Sequence, residues 1–64
     1  MNIYGKARVS ITGNSPYGDY RKGQGGIVDG YVLGGDNTPC AVVILTDDRF
    51  VLVPIHSIIF VAYV

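Results

Sequence analysis

The chain has 64 residues, with five basic and five acidic side chains, so its formal net charge is zero. This length predicts one domain, residues 1–64. A domain this small buries only about 60% of its unfolded surface, and its thin core needs further support. The single cysteine excludes an internal disulfide, and with the single histidine it does not make a four-ligand zinc site. We therefore expect support from oligomerisation, with no metal and no cofactor.

Hydrophobic residues make up 48% of the chain and charged residues 16%, whereas average domains have about 25% charged residues. This balance predicts that part of the apolar surface faces another subunit or a ligand. Neutral charge argues against general nucleic-acid binding, which needs a basic excess. The first residues lead into an alternating strand rather than a signal peptide, and the longest apolar stretch is too short to span a bilayer. We expect a cytoplasmic protein, in the host cytoplasm if it is viral.

Strand patterns dominate, because no window shows sustained helical spacing of apolar residues. The first predicted strand covers residues 3–12, in which Ala7, Val9 and Ile11 alternate with polar side chains. Residues 13–26 follow as a fourteen-residue loop with five glycines. A loop of this length is unusual in so small a domain and is often functional.

The later strands are apolar runs bounded by turn residues: 27–33, 41–45, 50–53 and 58–64. A glycine-rich turn joins the second and third strands, and Asp47-Asp48 predicts a tight hairpin before the fourth. Pro54 cannot donate to a ladder and breaks the pairing there. Residues 54–57 predict one turn of 3₁₀ helix before the last strand.

This order of elements, with a long first loop and a 3₁₀ turn before the last strand, resembles the SH3-like barrel. The resemblance covers the whole chain and implies an all-β fold with a single five-stranded barrel. The chain has no tryptophan, so it lacks the aromatic signature of signalling SH3 domains, and we do not expect proline-peptide binding in their usual groove. A five-stranded OB-type barrel ranks lower, because nothing between the third and fourth strands could form a helix.

The C-terminal residues 58–64 are apolar on both faces of the predicted strand. A strand of this kind is normally covered on both sides, since an exposed apolar edge promotes aggregation. We predict that one face joins the core and the other packs on a second subunit; a frayed hydrophobic terminus is the alternative. The predicted interface residues are Ile58, Phe60, Ala62, Tyr63 and Val64.

The long first loop is the predicted ligand site. Its glycines allow backbone N–H groups to approach a phosphate, Arg21 can pair with phosphate bidentately, and Lys22 adds a point charge. Two tyrosines could stack on a base. The spacing matches neither a P-loop nor a dinucleotide fingerprint, and a solvated loop whose tyrosines cap the barrel end is the alternative. The predicted site residues are Tyr17, Tyr20, Arg21, Lys22, Gln24 and Gly25.

Three other chemically active positions are interpreted as structural. His56 could sense pH or bind a ligand, but a hydrogen-bonded turn residue is the favoured interpretation. Asp47 and Asp48 are explained by turn chemistry rather than acid–base catalysis. Cys40 is expected to be a buried small hydrophobe rather than a nucleophile.

The C-terminal part also resembles plasmid-borne type II dihydrofolate reductase, in GIVDGY at residues 26–31, AVV at 41–43 and FVLVP at 50–54. That family is a very small SH3-like barrel that forms a tetramer around one pore. In the family, a glutamine and a tyrosine before the proline line the pore, whereas this chain has Val51 and Val53 there. The resemblance therefore implies oligomeric architecture rather than the activity.

In physical type, the chain is similar to small viral β-rich oligomers that sequester cyclic-nucleotide immune signals (anti-CBASS sponges), although no motif carries this similarity. No catalytic set can be assembled from its residues, so we expect a protein that is not an enzyme. The first function predicted is a homo-oligomer, such as a tetramer, that sequesters an anionic nucleotide between subunits. The alternatives are a protein- or RNA-binding accessory module, an enzyme like type II dihydrofolate reductase, and a structural virion oligomer.

Overall fold

The computed structural model describes residues 7–63, apart from the side chain of Tyr63; residues 1–6 and Val64 lie outside the described part. The described residues form five strands and one 3₁₀ turn, which confirms the predicted all-β class: β1 Ala7–Ile11, β2 Gly25–Leu33, β3 Pro39–Leu45, β4 Phe50–Pro54, the turn Ile55–Ser57 and β5 Ile58–Tyr63. Within this part of the chain, no helix has the length and apolar character needed to cross a membrane.

The five strands form one antiparallel sheet in the order β4-β3-β2-β1-β5. The first four strands are neighbours in chain order, and β5 returns beside β1. Strands β4 and β5 are therefore the two edges, and the described residues show no pairing between them. The predicted five strands are present, but the sheet is not closed into a barrel. Pro54 ends β4, and the 3₁₀ turn then carries the chain to the opposite edge.

Two irregularities bend the sheet. In β2 the register with β3 shifts between Val28 and Gly30, so Asp29 is an extra residue. In β5 the register with β1 shifts so that Val61 is extra. Bulges of this kind bend a strand and increase its twist. The first half of β2, at residues 25–27, pairs with β1, while its second half continues beside β3.

The core lies on one face of this bent sheet. It contains alternate residues of β1, β3 and β4, one residue each from β2 and β5, and one loop tyrosine: Ala7, Val9, Ile11, Tyr20, Val28, Ala41, Val43, Leu45, Val51, Val53 and Ile58. None of the buried residues in the described part is charged. Because residues from both edge strands share this cluster, the sheet curls around the core without closing.

The two short hairpins have the same construction. In the β3–β4 turn, the Leu45 N–H donates to the Arg49 carbonyl at 2.8 Å, and the Asp48 N–H donates to the Leu45 carbonyl at 2.9 Å. Asp48 has a φ of 67°, and Asn37 has a φ of 66° at the matching position of the β2–β3 turn. The tight hairpin predicted at Asp47 and Asp48 is present.

Candidate functional site

The loop between β1 and β2 folds as a hairpin of its own. At its base the Gly23 N–H donates to the Ile11 carbonyl at 2.8 Å, and the Ile11 N–H donates to the Gln24 carbonyl at 2.8 Å. Near its tip the Ser15 N–H donates to the Tyr20 carbonyl at 3.1 Å. Gly23 has a φ of 97°, which glycine adopts without the steric penalty of a Cβ. The loop therefore holds its side chains in defined positions.

The two loop tyrosines have different environments. Tyr20 is 4% exposed and belongs to the core. Burial raises the pKa of its phenol, and Cys40 and Asp19 add to this effect. Tyr17 is 86% exposed. Tyr20 thus anchors the loop to the sheet, as the capping alternative expects, and Tyr17 has the ring that is accessible for stacking.

The backbone donors of the basic segment are already used within the chain. The Arg21 N–H donates to Gln24 Oε1 at 2.6 Å, and the Lys22 N–H donates to Asn14 Oδ1 at 2.8 Å. The Gly23 N–H is also engaged, by the Ile11 carbonyl. An anion at this loop would therefore be held by the exposed side chains of Arg21 and Lys22 rather than by the glycine backbone.

These two cations border a hollow of about 530 Å³, which we call the polar hollow. It is lined by Gly18, Asp19, Tyr20, Arg21, Lys22, Gly23, Gln24 and Arg49. Arg49 comes from the β3–β4 turn, where its Nε donates to Asp47 Oδ2 at 2.7 Å and lowers the pKa of that carboxyl group. Arg49 is not among the predicted site residues, because only the fold brings this hairpin beside the first loop.

A second hollow of about 720 Å³ adjoins the first, since both include Asp19 and Tyr20 in their walls. We call it the aromatic cleft. It lies between the tip of the first loop, the β2–β3 turn and β4, and its apolar walls include Pro16, Tyr17, Phe50, Leu52 and Pro54. His56 is exposed at its border, with Nδ1 3.3 Å from Ser57 Oγ.

Of the remaining predicted ligand residues, Gln24 lies in the wall of the polar hollow and Gly25 does not. Gln24 lines the hollow and accepts the hydrogen bond from the Arg21 N–H. Gly25 begins β2 opposite Ser10 and is not among the lining residues. The polar hollow thus brings Tyr20, Arg21, Lys22 and Gln24 together, while Tyr17 lies in the adjoining cleft.

The predicted interface residues of β5 divide between the core and the surface. Ile58 is buried in the core of its own chain, whereas Phe60 is 40% exposed and Ala62 is exposed. Tyr63 pairs with Ala7 through the backbone, and its side chain lies outside the description, as does all of Val64. The exposed part of β5 is the part available to a partner.

No cluster of three His, Cys, Asp or Glu residues within 7–63 could hold a metal ion. Cys40 is buried, and its Sγ lies 3.4 Å from the Thr38 carbonyl. Val51 and Val53 are buried in the core.

Comparison of the chain with protein-family models, curated proteins and solved structures finds no match. Function is therefore inferred from the geometry of the two hollows and of the sheet surfaces.

Proposed function

We propose that this protein is a non-catalytic homo-oligomer that binds and sequesters a small anionic ligand, with a nucleotide as the ligand class that fits best. The observation that supports this proposal is the convergence of Arg21, Lys22 and Arg49 around the polar hollow. The chain has five Lys and Arg residues in total. Three of them border this hollow together with one carboxylate, Asp19. Even with Arg49 paired to Asp47, a net positive charge remains, and it favours an anion.

The ligand class follows from the groups around the two hollows. Arginine and lysine side chains form strong charge-assisted hydrogen bonds with phosphate oxygens. The exposed ring of Tyr17 stands in the adjoining cleft, and stacking of a base on such a ring contributes about 1–3 kcal/mol. A phosphate in the polar hollow and a base against Tyr17 would use both features. The hollow of 530 Å³ has a volume typical of small-molecule sites.

The oligomeric part of the proposal is supported by the surface of β5. This strand is an edge of the sheet and exposes Ile59, Phe60 and Val61. Exposed apolar edges are normally covered, since they otherwise pair with other chains. In a single protomer both hollows are open to solvent. A neighbouring subunit would enclose a ligand more completely.

Titration calorimetry with a cyclic dinucleotide, a mononucleotide, the matching nucleoside and inorganic phosphate tests the ligand class. We expect heat with the nucleotides and much weaker binding of the nucleoside. The double variant Arg21→Ala with Lys22→Ala should weaken binding at least about tenfold for each charge-assisted hydrogen bond that it removes. Arg8→Ala is the matched control, because it removes a cation that lines neither hollow. No heat with any phosphate-bearing ligand would contradict the proposal.

A second candidate function is a protein-binding accessory module, which the aromatic cleft favours. The cleft runs beside β4, an edge strand whose outer backbone groups could pair with an extended segment. Selection from a random peptide library tests this candidate. A selected peptide whose binding depends on Tyr17 and is unaffected by removal of the Arg21 and Lys22 side chains would favour the module over the nucleotide binder.

A further inference from the structure

The face of β2, β3 and β4 that points away from the core is largely apolar, and its charged residue is the exposed Asp29 at the β2 bulge. Val43 and Val51 point into the core, so their neighbours along each strand point outward. The register then aligns these outward residues in rows. One row joins Ile27, Ile44 and Phe50, and the next joins Gly30, Val42 and Leu52. We call the set the outer face: Ile27, Val32, Val42, Ile44, Phe50 and Leu52.

This face is accessible in the protomer. Phe50 is 63% exposed and Leu52 is 49% exposed, and Val32 is also exposed. Ile27, Val42 and Ile44 are half-buried. None of the six side chains can form a hydrogen bond with water. Removing them from water would therefore be favourable.

The neighbouring strand β1 provides an internal comparison. Its outward residues are Arg8 and Ser10, which alternate with the core residues Val9 and Ile11. This is the pattern of a sheet face in contact with water. Apart from Asp29 at the bulge, the same sheet therefore changes from a polar outer surface on β1 to an apolar one on β2, β3 and β4. The boundary lies between Arg8 and Ile27, which are direct cross-strand partners.

We propose that a second copy of this chain packs its own outer face against this one, so that two sheets lie face to face. Such sheets pack about 10 Å apart with interdigitating side chains. This inference rests on the homo-oligomer in the proposed function and adds a specific surface, on a different part of the sheet from the exposed residues of β5. A two-fold axis places the same apolar patch on both subunits, as isologous interfaces require.

A second copy of this chain is the partner that the apolar composition of the outer face favours. A standard interface buries about 800 Å² on each partner, and the described chain exposes 4206 Å². Such an interface would cover about a fifth of the protomer, so it would include the rim around the outer face as well as the six residues themselves. Obligate homodimer interfaces resemble a domain core divided in two, and the outer face has that composition, with Arg8 at its edge.

The same packing would complete the ligand site. Phe50 and Leu52 belong to both the outer face and the aromatic cleft. A partner seated on the outer face would therefore stand beside the cleft and form one of its walls. The cleft of the single chain would then lie between two subunits.

Sedimentation of the full chain at micromolar concentration, with circular dichroism to monitor folding, tests the interface. We expect the wild type to sediment as a dimer or a larger even assembly. Leu52→Asp should weaken this association at least about tenfold, because it buries a charge in an apolar interface. Thr12→Asp, which adds the same charge at an exposed polar position outside the outer face, is the control and should retain the wild-type mass.

Leu52→Thr places a residue with high strand propensity at this position and remains informative if Leu52→Asp does not fold. It should fold and associate more weakly than the wild type. A wild-type monomer would overturn the inference. So would a Leu52→Thr protein with wild-type mass, or an assembly that Phe60→Asp reduces to monomers while both Leu52 variants leave it intact.

Calorimetry with the cyclic dinucleotide on the same samples separates this inference from the ligand proposal. An assembly that depends on Leu52 but gives no heat supports the interface and contradicts the ligand. Heat with a wild-type monomer supports the ligand and overturns the interface.

Discussion

Gly26 lies in β2 at a position where β3 leaves no room for a side chain. A Cβ at this position would lie 2.5 Å from Val43 Cγ1 and 2.6 Å from the Ile44 carbonyl oxygen. The oxygen belongs to the backbone and cannot turn aside. Gly26→Ala should therefore lower the free energy of unfolding by about 1–3 kcal/mol, the usual range for overpacking.

Urea denaturation at one fixed protein concentration measures this effect. Gly35→Ala is the control, because a Cβ at Gly35 meets nothing within 4 Å. Equal stability of the two variants would show that β2 can move away from β3 at Gly26 without loss.

Tyr20 predicts a specific response to alkaline pH. Burial raises the pKa of its phenol above the ordinary value of 10.0, whereas the unfolded chain ionises near that value. The stability that neutral Tyr20 contributes is therefore complete below pH 10 and is lost as the pH rises through the folded-state pKa. Tyr20→Phe cannot ionise, so its free energy of unfolding should fall less steeply above pH 10.

The difference between the wild type and Tyr20→Phe in urea denaturation, measured from about pH 8 to 11 to span the ordinary phenol pKa, isolates this contribution from the other titrating groups. Parallel curves for the two proteins would mean that the phenol ionises equally well in the folded and unfolded states.

At the scale of single elements, Asp48 controls the β3–β4 hairpin. Its φ of 67° lies in the left-handed region, in which a residue with a Cβ is disfavoured by about 1–2 kcal/mol. Aspartate tolerates this conformation better than most residues. Asp48→Val should lower the free energy of unfolding by an amount in that range, because a β-branched side chain fits this region poorly. Asp48→Gly should be neutral or stabilising.

Thermal unfolding of the two variants in parallel provides the measurement. Asp47→Val is a useful control, since Asp47 has no positive φ. Its substitution removes the exposed pair with the Arg49 side chain and the 3.4 Å hydrogen bond from the Arg49 N–H. An Asp48→Val protein as stable as the wild type would show that the turn changes its conformation.

The elements could be predicted from local patterns, but their curvature could not. Alternation at Ala7, Val9 and Ile11 indicates β1, and turn chemistry at Asp47 and Asp48 indicates the tight hairpin. Both are properties of consecutive residues. The bulge at Asp29 is a mismatch between two strands, and no local pattern in β2 shows it. The number of strands and their order along the chain therefore agree with the prediction. The predicted closed barrel does not, because the sheet stays open.

The candidate site, like the fold, could be predicted only where it depends on residues that are adjacent in the sequence. Arg21 and Lys22 are adjacent in sequence, so their basic pair is visible there. Arg49 joins them only through the packing of a distant hairpin, and the burial of Tyr20 depends on how the loop folds back. The outer face does have a sequence signature, since Phe50 and Leu52 alternate with buried valines and leave β4 apolar on both sides. The two-sided apolar pattern that predicts an interface at residues 58–64 is thus present in β4 as well.

At the scale of the whole molecule, the apolar surface and the small core have one physical explanation. The core of the described chain consists of a single cluster, and the protomer leaves large apolar residues exposed on the outer face and on β5. A chain of 64 residues gains little stability from burial within itself. Burial of apolar surface between copies would supply the stability that one chain lacks, so folding and association should be coupled.

This coupling predicts that stability depends on protein concentration. Unfolding of a dimer releases two chains, so a tenfold rise in concentration stabilises the assembly by about 1.4 kcal/mol per mole of dimer. We expect the urea midpoint of the wild type to rise steadily over a hundredfold range of concentration. Leu52→Thr should unfold at lower urea and show a smaller dependence, because it removes apolar contact from the outer face. Fluorescence of the tyrosines follows both transitions, and a wild-type midpoint that stays constant over this range would mean that each chain is stable by itself.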